Sequence, residues 1–122
     1  MRFFLSFLFL TLTFCFSAYA QSSIAELEKQ LQATSSAAEK LALTYQLGDL
    51  YLSQSPKKAL ELGLQANRMA IDQGNKSMAG RTAFLVAQAY EYLDNTSNQE
   101  VWLKNALTYA KQAGDSDLII RS

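Results

Sequence analysis

The segment 45–75 reads YQLGDLYLSQSPKKALELGLQANRMAIDQGN, and much of its pattern returns further along the chain. Its first seven residues align with FLVAQAY, residues 84–90, at a shift of 39. Its last three residues, QGN, align with AGD at 113–115, at a shift of 40. Positions in between overlay at the same shift: Leu60, Gly63, Ala66 and Ala70 with Glu100, Leu103, Ala106 and Ala110. Such internal similarity predicts stacked copies of one supersecondary structure.

The composition from Ser22 onward indicates helices. This part is rich in Ala, Leu, Gln, Glu and Lys, has one Pro, and lacks the alternation of polar and apolar residues typical of strands. Capping boxes of the form Ser-x-x-Glu begin at three serines, and two glycines close amphipathic runs as C-terminal caps. The serines are Ser23, Ser36 and Ser97, and the glycines are Gly74 and Gly114. The predicted helices cover about 24–33, 37–53, 56–73, 76–93 and 98–113, with a sixth after Asp115.

These helices predict an all-α fold, an α-α superhelix of antiparallel helix pairs with a period of about 40 residues. Short connections favour antiparallel neighbours, and a pair that cannot bury its apolar face alone must stack on the next pair. Gly48 and Ala87 are expected to let the two helices of a pair approach closely, with Tyr51 and Tyr90 wedged between them. The predicted organisation is a lead helix over 21–35, repeats over 36–75 and 76–115, and a truncated third repeat over 116–122.

Residues 1–20 have the layout of a secretory signal peptide. Arg2 is followed by an apolar run from Phe3 to Phe16 broken only by three hydroxyl residues, and then by Ser-Ala-Tyr-Ala. Small residues at Ala18 and Ala20 predict cleavage before Gln21 and export of the rest of the chain. An uncleaved membrane anchor stays open as an alternative, because an 18-residue stretch ending at Ala20 could barely span a bilayer.

Charge and composition exclude several function classes. The chain has 11 basic and 11 acidic residues and no His, and its one Cys, Cys15, lies in the predicted signal peptide. Without Cys or His, the remainder cannot build a Cys/His zinc site, a Ser-His-Asp triad or a Cys-His pair. Its near-neutral balance gives no basic field for nucleic acid. We therefore expect no enzymatic activity of this chain, and no cofactor or metal.

The repeated unit resembles a tetratricopeptide repeat. The residues that carry the resemblance are Leu47-Gly48-x-x-Tyr51 with Ala59, Gly63 and Ala66, and a degenerate copy, Val86-Ala87-x-x-Tyr90 with Leu103 and Ala106. The chain departs from the family in its period, which exceeds the usual value of about 34, and in having Thr44 and Ala83 where the family has Trp. Ile71 stands near the position of the family's Pro.

The arrangement as a whole resembles the N-terminal extracytoplasmic repeat regions of bacterial sensor histidine kinases. In those proteins several repeats precede a membrane helix, a coiled coil and the kinase domains. The resemblance implies a fragment of a longer protein on the extracytoplasmic side of the inner membrane or in the bacterial periplasm. Its implied role is the input part of a two-component signalling system, and the full-length protein could then be a histidine kinase. The alternative is a free secreted or periplasmic adaptor or scaffold of the same repeats without a kinase.

The resemblance also implies a concave groove lined by the first helix of each pair. In the first repeat the groove positions are Ala42, Tyr45, Asp49, Leu52 and Ser53; in the second they are Arg81, Phe84, Gln88, Glu91 and Tyr92. Arg121 is the third-repeat counterpart of Arg81, and two arginines in a row would suit carboxylates or an extended peptide. A different interpretation leaves the charged residues solvated and puts Tyr45 and Phe84 in the core between repeats.

Overall fold

The computed structural model describes residues 23–115, and over this range the chain is all-α. Five helices follow one another without a strand between residues 23 and 115. They are α1 (23–33), α2 (Ala37–Tyr51), α3 (Pro56–Asp72), α4 (Lys76–Tyr92) and α5 (Thr96–Ala113). The all-α prediction is confirmed, and the predicted boundaries agree with these to within two residues. The predicted signal peptide, the sixth helix, the third repeat and Arg121 lie outside the described residues.

Side-chain caps fix the start of each helix from α2 onward. Ser36 accepts a hydrogen bond from the backbone N–H of Glu39 at 3.3 Å, as predicted. The predicted cap at Ser97 is wrong: the Asn95 carboxamide oxygen accepts the backbone N–H of Asn98 at 3.2 Å, and α5 therefore begins two residues earlier than expected. Asparagine is as good a cap as serine, so the first capping residue after the turn takes the position.

Helices α3, α4 and α5 end in left-handed turns of one design. Gly74, Asp94 and Gly114 have φ values of +65°, +55° and +69°. The residue after each donates its backbone N–H to a carbonyl in the preceding helix at 2.9 Å: Asn75 to Ala70, Asn95 to Tyr90, and Asp115 to Ala110. This is the Schellman pattern, which uses carbonyls that the helix end leaves without partners. The predicted glycine caps are confirmed.

Helices α2, α3 and α4 alternate in direction, as two core clusters show. In one, Leu41 near the start of α2 packs with Ala79 near the start of α4 and with Ala70 near the end of α3. In the other, Leu52, just past the end of α2, packs with Leu85 and Ala89 in α4 and with Ala59 near the start of α3. The helices α2 and α4 are therefore parallel to each other, and α3 runs between them in the opposite direction.

Two glycines set the closest approach between helices. A Cβ at Gly48 would lie 3.4 Å from Leu62 Cβ of α3, so the predicted close approach within the pair is confirmed. The same Cβ would lie only 2.8 Å from Leu85 Cδ2 of α4, a contact that the sequence did not indicate. At Gly63 of α3, a Cβ would lie 3.0 Å from Val86 Cγ2. The side chains of α4 thus occupy the space that glycine leaves on both α2 and α3.

The lead helix α1 is tied to α2 through Tyr51. Its hydroxyl donates a hydrogen bond to Glu28 Oε1 at 3.0 Å, and its ring packs against the cluster of Leu52, Ala59, Leu85 and Ala89. Burial of the ring, together with the hydrogen bond to Glu28 and its negative charge, raises the pKa of Tyr51 above the ordinary value of 10.0. Tyr51 therefore packs against residues of both α3 and α4 and also contacts α1 through Glu28.

We expect the stability of the protein to fall at alkaline pH partly through Tyr51. Because its pKa is raised in the folded state, folding retains a proton that the unfolded chain loses, so its contribution is full below about pH 10 and is lost as pH rises further. The free energy of unfolding, measured by urea titration, should fall less between about pH 9 and pH 11 in Tyr51→Phe than in the wild type. The matched control is Tyr92→Phe, at a ring that is 57% exposed; an equal effect there would contradict the assignment.

Candidate functional site

The outward face of α4 carries the groove residues that the resemblance implied. Arg81, Phe84, Gln88 and Glu91 follow one another at spacings of three and four, which places them on one face of the helix. Arg81 and Glu91 are exposed, Phe84 and Gln88 are half-buried, and Tyr92 at the end of the helix is 57% exposed. The other face of α4 is buried, including Leu85 and Val86. The structure therefore brings the α4 candidates together on one accessible surface.

The α2 candidates divide between surface and core. Asp49 and Ser53 are exposed, and Ala42 is half-buried. Leu52 is only 8% exposed and lies in the cluster with Leu85 and Ala89, so it is a core residue and not a groove residue. Tyr45 is half-buried and packs against both core clusters at the junction of α2 with α4, which favours the interpretation as inter-repeat core. We call the surface formed by Asp49 and the outward face of α4 the α2–α4 face.

Arg81 is held in an ion pair. Its Nη2 lies 3.1 Å from Oδ2 of Asp115, whose side chain is 9% exposed against 44% for the arginine. Ser77, one turn before Arg81, donates its hydroxyl to the same Asp115 oxygen at 3.3 Å. The two side chains tie the end of α5 to the first turns of α4. The arginine row inferred from the sequence thus has its first member already paired with a carboxylate, and its second, Arg121, lies outside the described residues.

A similar tie closes the preceding helix pair. Gln73, at the end of α3, donates its side-chain amide to the carbonyl of Ala37 at the start of α2, with an N–O distance of 2.9 Å. In both pairs a polar side chain therefore links the end of the second helix to the beginning of the first. These two contacts repeat in position but differ in chemistry, because the first is a neutral hydrogen bond and the second an ion pair.

Negative charge remains on the α2–α4 face once Arg81 is paired. Asp49 and Glu91 are exposed, and neither forms an ion pair within residues 23–115. The last turn of α2 and the last turn of α4 contain no basic residue. Carbonyl groups at a helix C-terminus are electronegative, and basic residues usually compensate them. These carboxylates and helix ends lie at the same end as the start of α3, where Lys57 and Lys58 are exposed, so this end carries charges of both signs.

A buried polar contact between α3 and α4 was not predicted. The Asn67 side chain is 5% exposed and donates its amide to the Ala79 carbonyl at 3.0 Å and to the Thr82 hydroxyl oxygen at 3.1 Å. Thr82 is fully buried and donates its own hydroxyl to the Met78 carbonyl at 2.7 Å. The spacing of Asn67 from Gly63 and Ala70, four and three residues, was the available signal, because it places Asn67 on the buried face.

Two depressions lie away from the α2–α4 face. One of about 190 Å³ lies beside the Gly74 turn and is lined mainly by Ala70, Ile71, Ala79 and Tyr109. It is smaller than the roughly 300 Å³ at which ligand pockets begin. The other, of about 460 Å³, is an open hollow at the α1–α2 connection, where Thr34 donates its hydroxyl to Glu39 Oε2 at 2.8 Å. Two of its polar side chains therefore already bond to each other.

The described residues show neither a metal cluster nor a membrane span. In residues 23–115 no three His, Cys, Asp or Glu side chains are grouped so that they could hold a metal ion. No helix in that range combines the length and the apolar character needed to cross a membrane. The chemical groups gathered on the α2–α4 face are carboxylates, an amide and aromatic rings, which can bind a polypeptide through charge, hydrogen bonds and ring contacts.

Comparisons of the chain with protein-family models, with curated proteins and with solved structures give no match. The fold itself defines only a broad class: an all-α chain in which consecutive helices pack against each other. The candidate surface of this chain is formed by residues of α2 and α4.

Proposed function

We propose that this chain is a protein- or peptide-interaction module built as a tetratricopeptide-like solenoid of helix pairs. The observation that carries the proposal is the repeated geometry: α2 and α4 are parallel, and α3 is packed antiparallel between them. Turns of one design end α3, α4 and α5, and those after α3 and α5, each with a glycine, are 40 residues apart. Repeated helix pairs of this kind expose a continuous surface along their first helices, which suits an extended partner.

The module serves, in this proposal, as the extracytoplasmic input part of a sensor histidine kinase. The layout of residues 1–20 supports export, and the resemblance of the repeat arrangement supports the signalling role. The native coding sequence after the Ser122 codon separates this role from that of a free adaptor. A frame that continues into an apolar segment of about 20 residues and a kinase domain is expected. A stop after a capping helix would replace the kinase role with the adaptor role.

Site-specific photo-crosslinking tests the interaction face directly. A photoreactive phenylalanine analogue introduced at Gln88, half-buried in the middle of the α4 face, should crosslink a discrete partner protein in the native host. The matched control is the same analogue at Gln65, an exposed glutamine on α3. We expect the crosslinked species to be at least about 10-fold more abundant from Gln88 than from Gln65, since a bound partner covers one face only.

The contrast between the two positions decides the proposal. Equal crosslinking from Gln88 and Gln65 would indicate non-specific collision and contradict binding at the α2–α4 face. A discrete product from Gln65 alone would move the interaction surface to α3. Retention of the native circular dichroism spectrum by both variants shows that the comparison reports on the surface and not on unfolding.

A further inference from the structure

We propose that residues 116–122 dock on one face of α5, formed by Leu103 and Leu107, which we call the stacking face. These residues follow α5 in the sequence and read SDLIIRS. The inference goes beyond the proposed function, because it concerns a different surface and holds whether or not the α2–α4 face binds a partner. It rests on three observations: the burial of the equivalent face in α3, the geometry of the turn after α5, and the register of the repeat.

The equivalent face of α3 is buried because α4 lies on it. The positions 40 residues before Leu103 and Leu107 are Gly63 and Asn67. Gly63 is buried, and a Cβ there would lie 3.0 Å from Val86 Cγ2 of α4. Asn67 is 5% exposed and donates its side-chain amide to α4. In α5, by contrast, Leu103 and Leu107 are only half-buried. A face that is covered in the first helix pair is therefore partly open in the second.

The stacking face calls for an apolar occupant. Leu103 and Leu107 are one turn apart, and covering them with apolar side chains is favourable because it removes apolar area from water. Residues 118–120 are Leu-Ile-Ile, and they correspond to residues 78–80 at the shift of 40. In α4 all of residues 78–80 are buried or half-buried. The segment after α5 thus has apolar side chains at the positions that α4 uses for packing.

The turn at Gly114 directs the chain toward the stacking face. Gly74 and Gly114 have φ values of +65° and +69°. In both turns the next residue donates its backbone N–H, at 2.9 Å, to the carbonyl of the residue five positions before it. After Gly74 the chain continues as α4, which packs on α3. Because the two turns share this geometry, we infer that the chain leaves α5 in the direction in which it leaves α3. Asp115, held by Arg81 of α4, fixes where the segment begins.

The register of the repeat assigns a specific contact. At the shift of 40, Ser122 corresponds to Thr82, and Leu107 corresponds to Asn67. The Asn67 amide nitrogen lies 3.1 Å from the Thr82 hydroxyl oxygen. Docking in the same register therefore brings Ser122 next to Leu107. It also continues the row of first helices that begins with α2 and α4.

Thiol labelling tests whether the segment covers the stacking face. Every variant carries Cys15→Ser, which removes the one native thiol, and Leu107→Cys places a new thiol on the face. We expect fluorescein maleimide to label this thiol at least about 10-fold more slowly in the chain of residues 1–122 than in the same variant ended after Asp115. The matched control is Asn105→Cys, exposed and on the opposite side of α5, where truncation should change the rate less than about 2-fold.

A disulfide test needs no truncation. Under mild oxidation, Leu107→Cys with Ser122→Cys should form an intramolecular disulfide at least about 10-fold faster than Asn105→Cys with Ser122→Cys. The two pairs share the cysteine at position 122, so the flexibility of the chain end affects both. Circular dichroism checks that the variants keep their helices. If the shortened chain loses its helical spectrum, the disulfide rates alone decide.

The outcomes separate docking of the segment from other occupants. Equal disulfide rates for the two pairs, or labelling of Leu107→Cys that truncation of a folded chain leaves unchanged, would overturn the proposal. Protection that falls when the protein is diluted, or disulfides between chains, would assign the stacking face to a second copy and overturn it too. None of these results affects crosslinking at Gln88, so the inference can fail while the proposed function stands.

Discussion

Replacing Leu85 by Ala is expected to lower the free energy of unfolding by about 3 kcal/mol, the middle of the range for a fully buried leucine. Leu85 is 1% exposed and lies where three helices meet. Its Cδ2 is the atom that a Cβ at Gly48 of α2 would meet at 2.8 Å, and its Cγ lies 3.5 Å from the Cβ position at Gly63 of α3. Truncation therefore opens a cavity between all three helices, which cannot close by moving one of them. Urea denaturation followed by circular dichroism measures the loss.

The matched control for this substitution is Leu50→Ala in α2. Leu50 is 39% exposed, so the same change in side chain should cost no more than about 1 kcal/mol. A loss at Leu85 that does not exceed the loss at Leu50 would contradict the packing described. Because the control also removes a leucine from a helix, helix propensity changes in the same way in both variants.

Gly48→Ala gives the same contact an independent test. In the wild type the added Cβ would lie 2.8 Å from Leu85 Cδ2, and this overlap opposes the gain of about 1 kcal/mol that Ala has over Gly in a helix. In the Leu85→Ala background the overlapping atom is gone, so Gly48→Ala should be stabilising by about that gain. A double-mutant cycle should therefore show a coupling of about 1 kcal/mol or more. Additive effects would show that the two side chains do not share the space.

The parts of the fold that the sequence predicts are those encoded within a few residues. The turns at Gly74 and Gly114 need a residue that adopts positive φ easily, and glycine followed by a capping residue indicates this locally. Pro56, which follows the capping Ser55, marks the start of α3 in the same way. The start of α5 was predicted two residues late because Asn95 and Ser97 are both good caps, and the local pattern does not rank them.

The parts that the sequence does not predict depend on contacts between distant residues. The repeat pattern predicts that Gly48 of α2 makes room for α3 of the same pair. The atom nearest to a Cβ at Gly48, however, belongs to Leu85 in α4 of the next pair. The net charge of the candidate face is not predicted for the same reason. The helical spacing places Arg81 on the exposed face of α4, but Asp115, which pairs with it, lies in a turn 34 residues away. A periodic pattern identifies which face of a helix is exposed, but it does not identify the distant residue that neutralises a charge on that face.

Replacing Asn67 by Asp is expected to destabilise the protein by about 3 kcal/mol at about pH 7, although the two side chains have nearly the same shape. The Asn67 amide donates to the Ala79 carbonyl and to the Thr82 hydroxyl oxygen. A carboxylate has no proton to donate, so it would face the Ala79 carbonyl oxygen in a site that is 5% exposed. Thr82 could turn its hydroxyl toward the carboxylate only by giving up its bond to the Met78 carbonyl.

The pH dependence of Asn67→Asp separates buried charge from a loss of shape. Burial raises the pKa of the introduced carboxyl above its unfolded value of about 3.9, so the folded state binds the proton more tightly than the unfolded state does. Relative to the wild type, the deficit in unfolding free energy should therefore shrink as pH is lowered from about 7 to about 4, and grow again as pH rises through the folded pKa. Urea titrations at the two pH values measure this change.

Two variants complete the test at Asn67. Asn67→Leu removes the hydrogen bonds without adding charge, and should cost about 1 to 2 kcal/mol with little dependence on pH. Asn105→Asp introduces the same carboxylate at an exposed position of α5, where the change should stay within about 0.5 kcal/mol. If Asn67→Asp cost no more than Asn105→Asp, or if its deficit did not shrink at low pH, the Asn67 amide would not be the buried donor that joins α3 to α4. With the expected result, that buried contact is one that fixes how α4 of the second helix pair packs on α3 of the first.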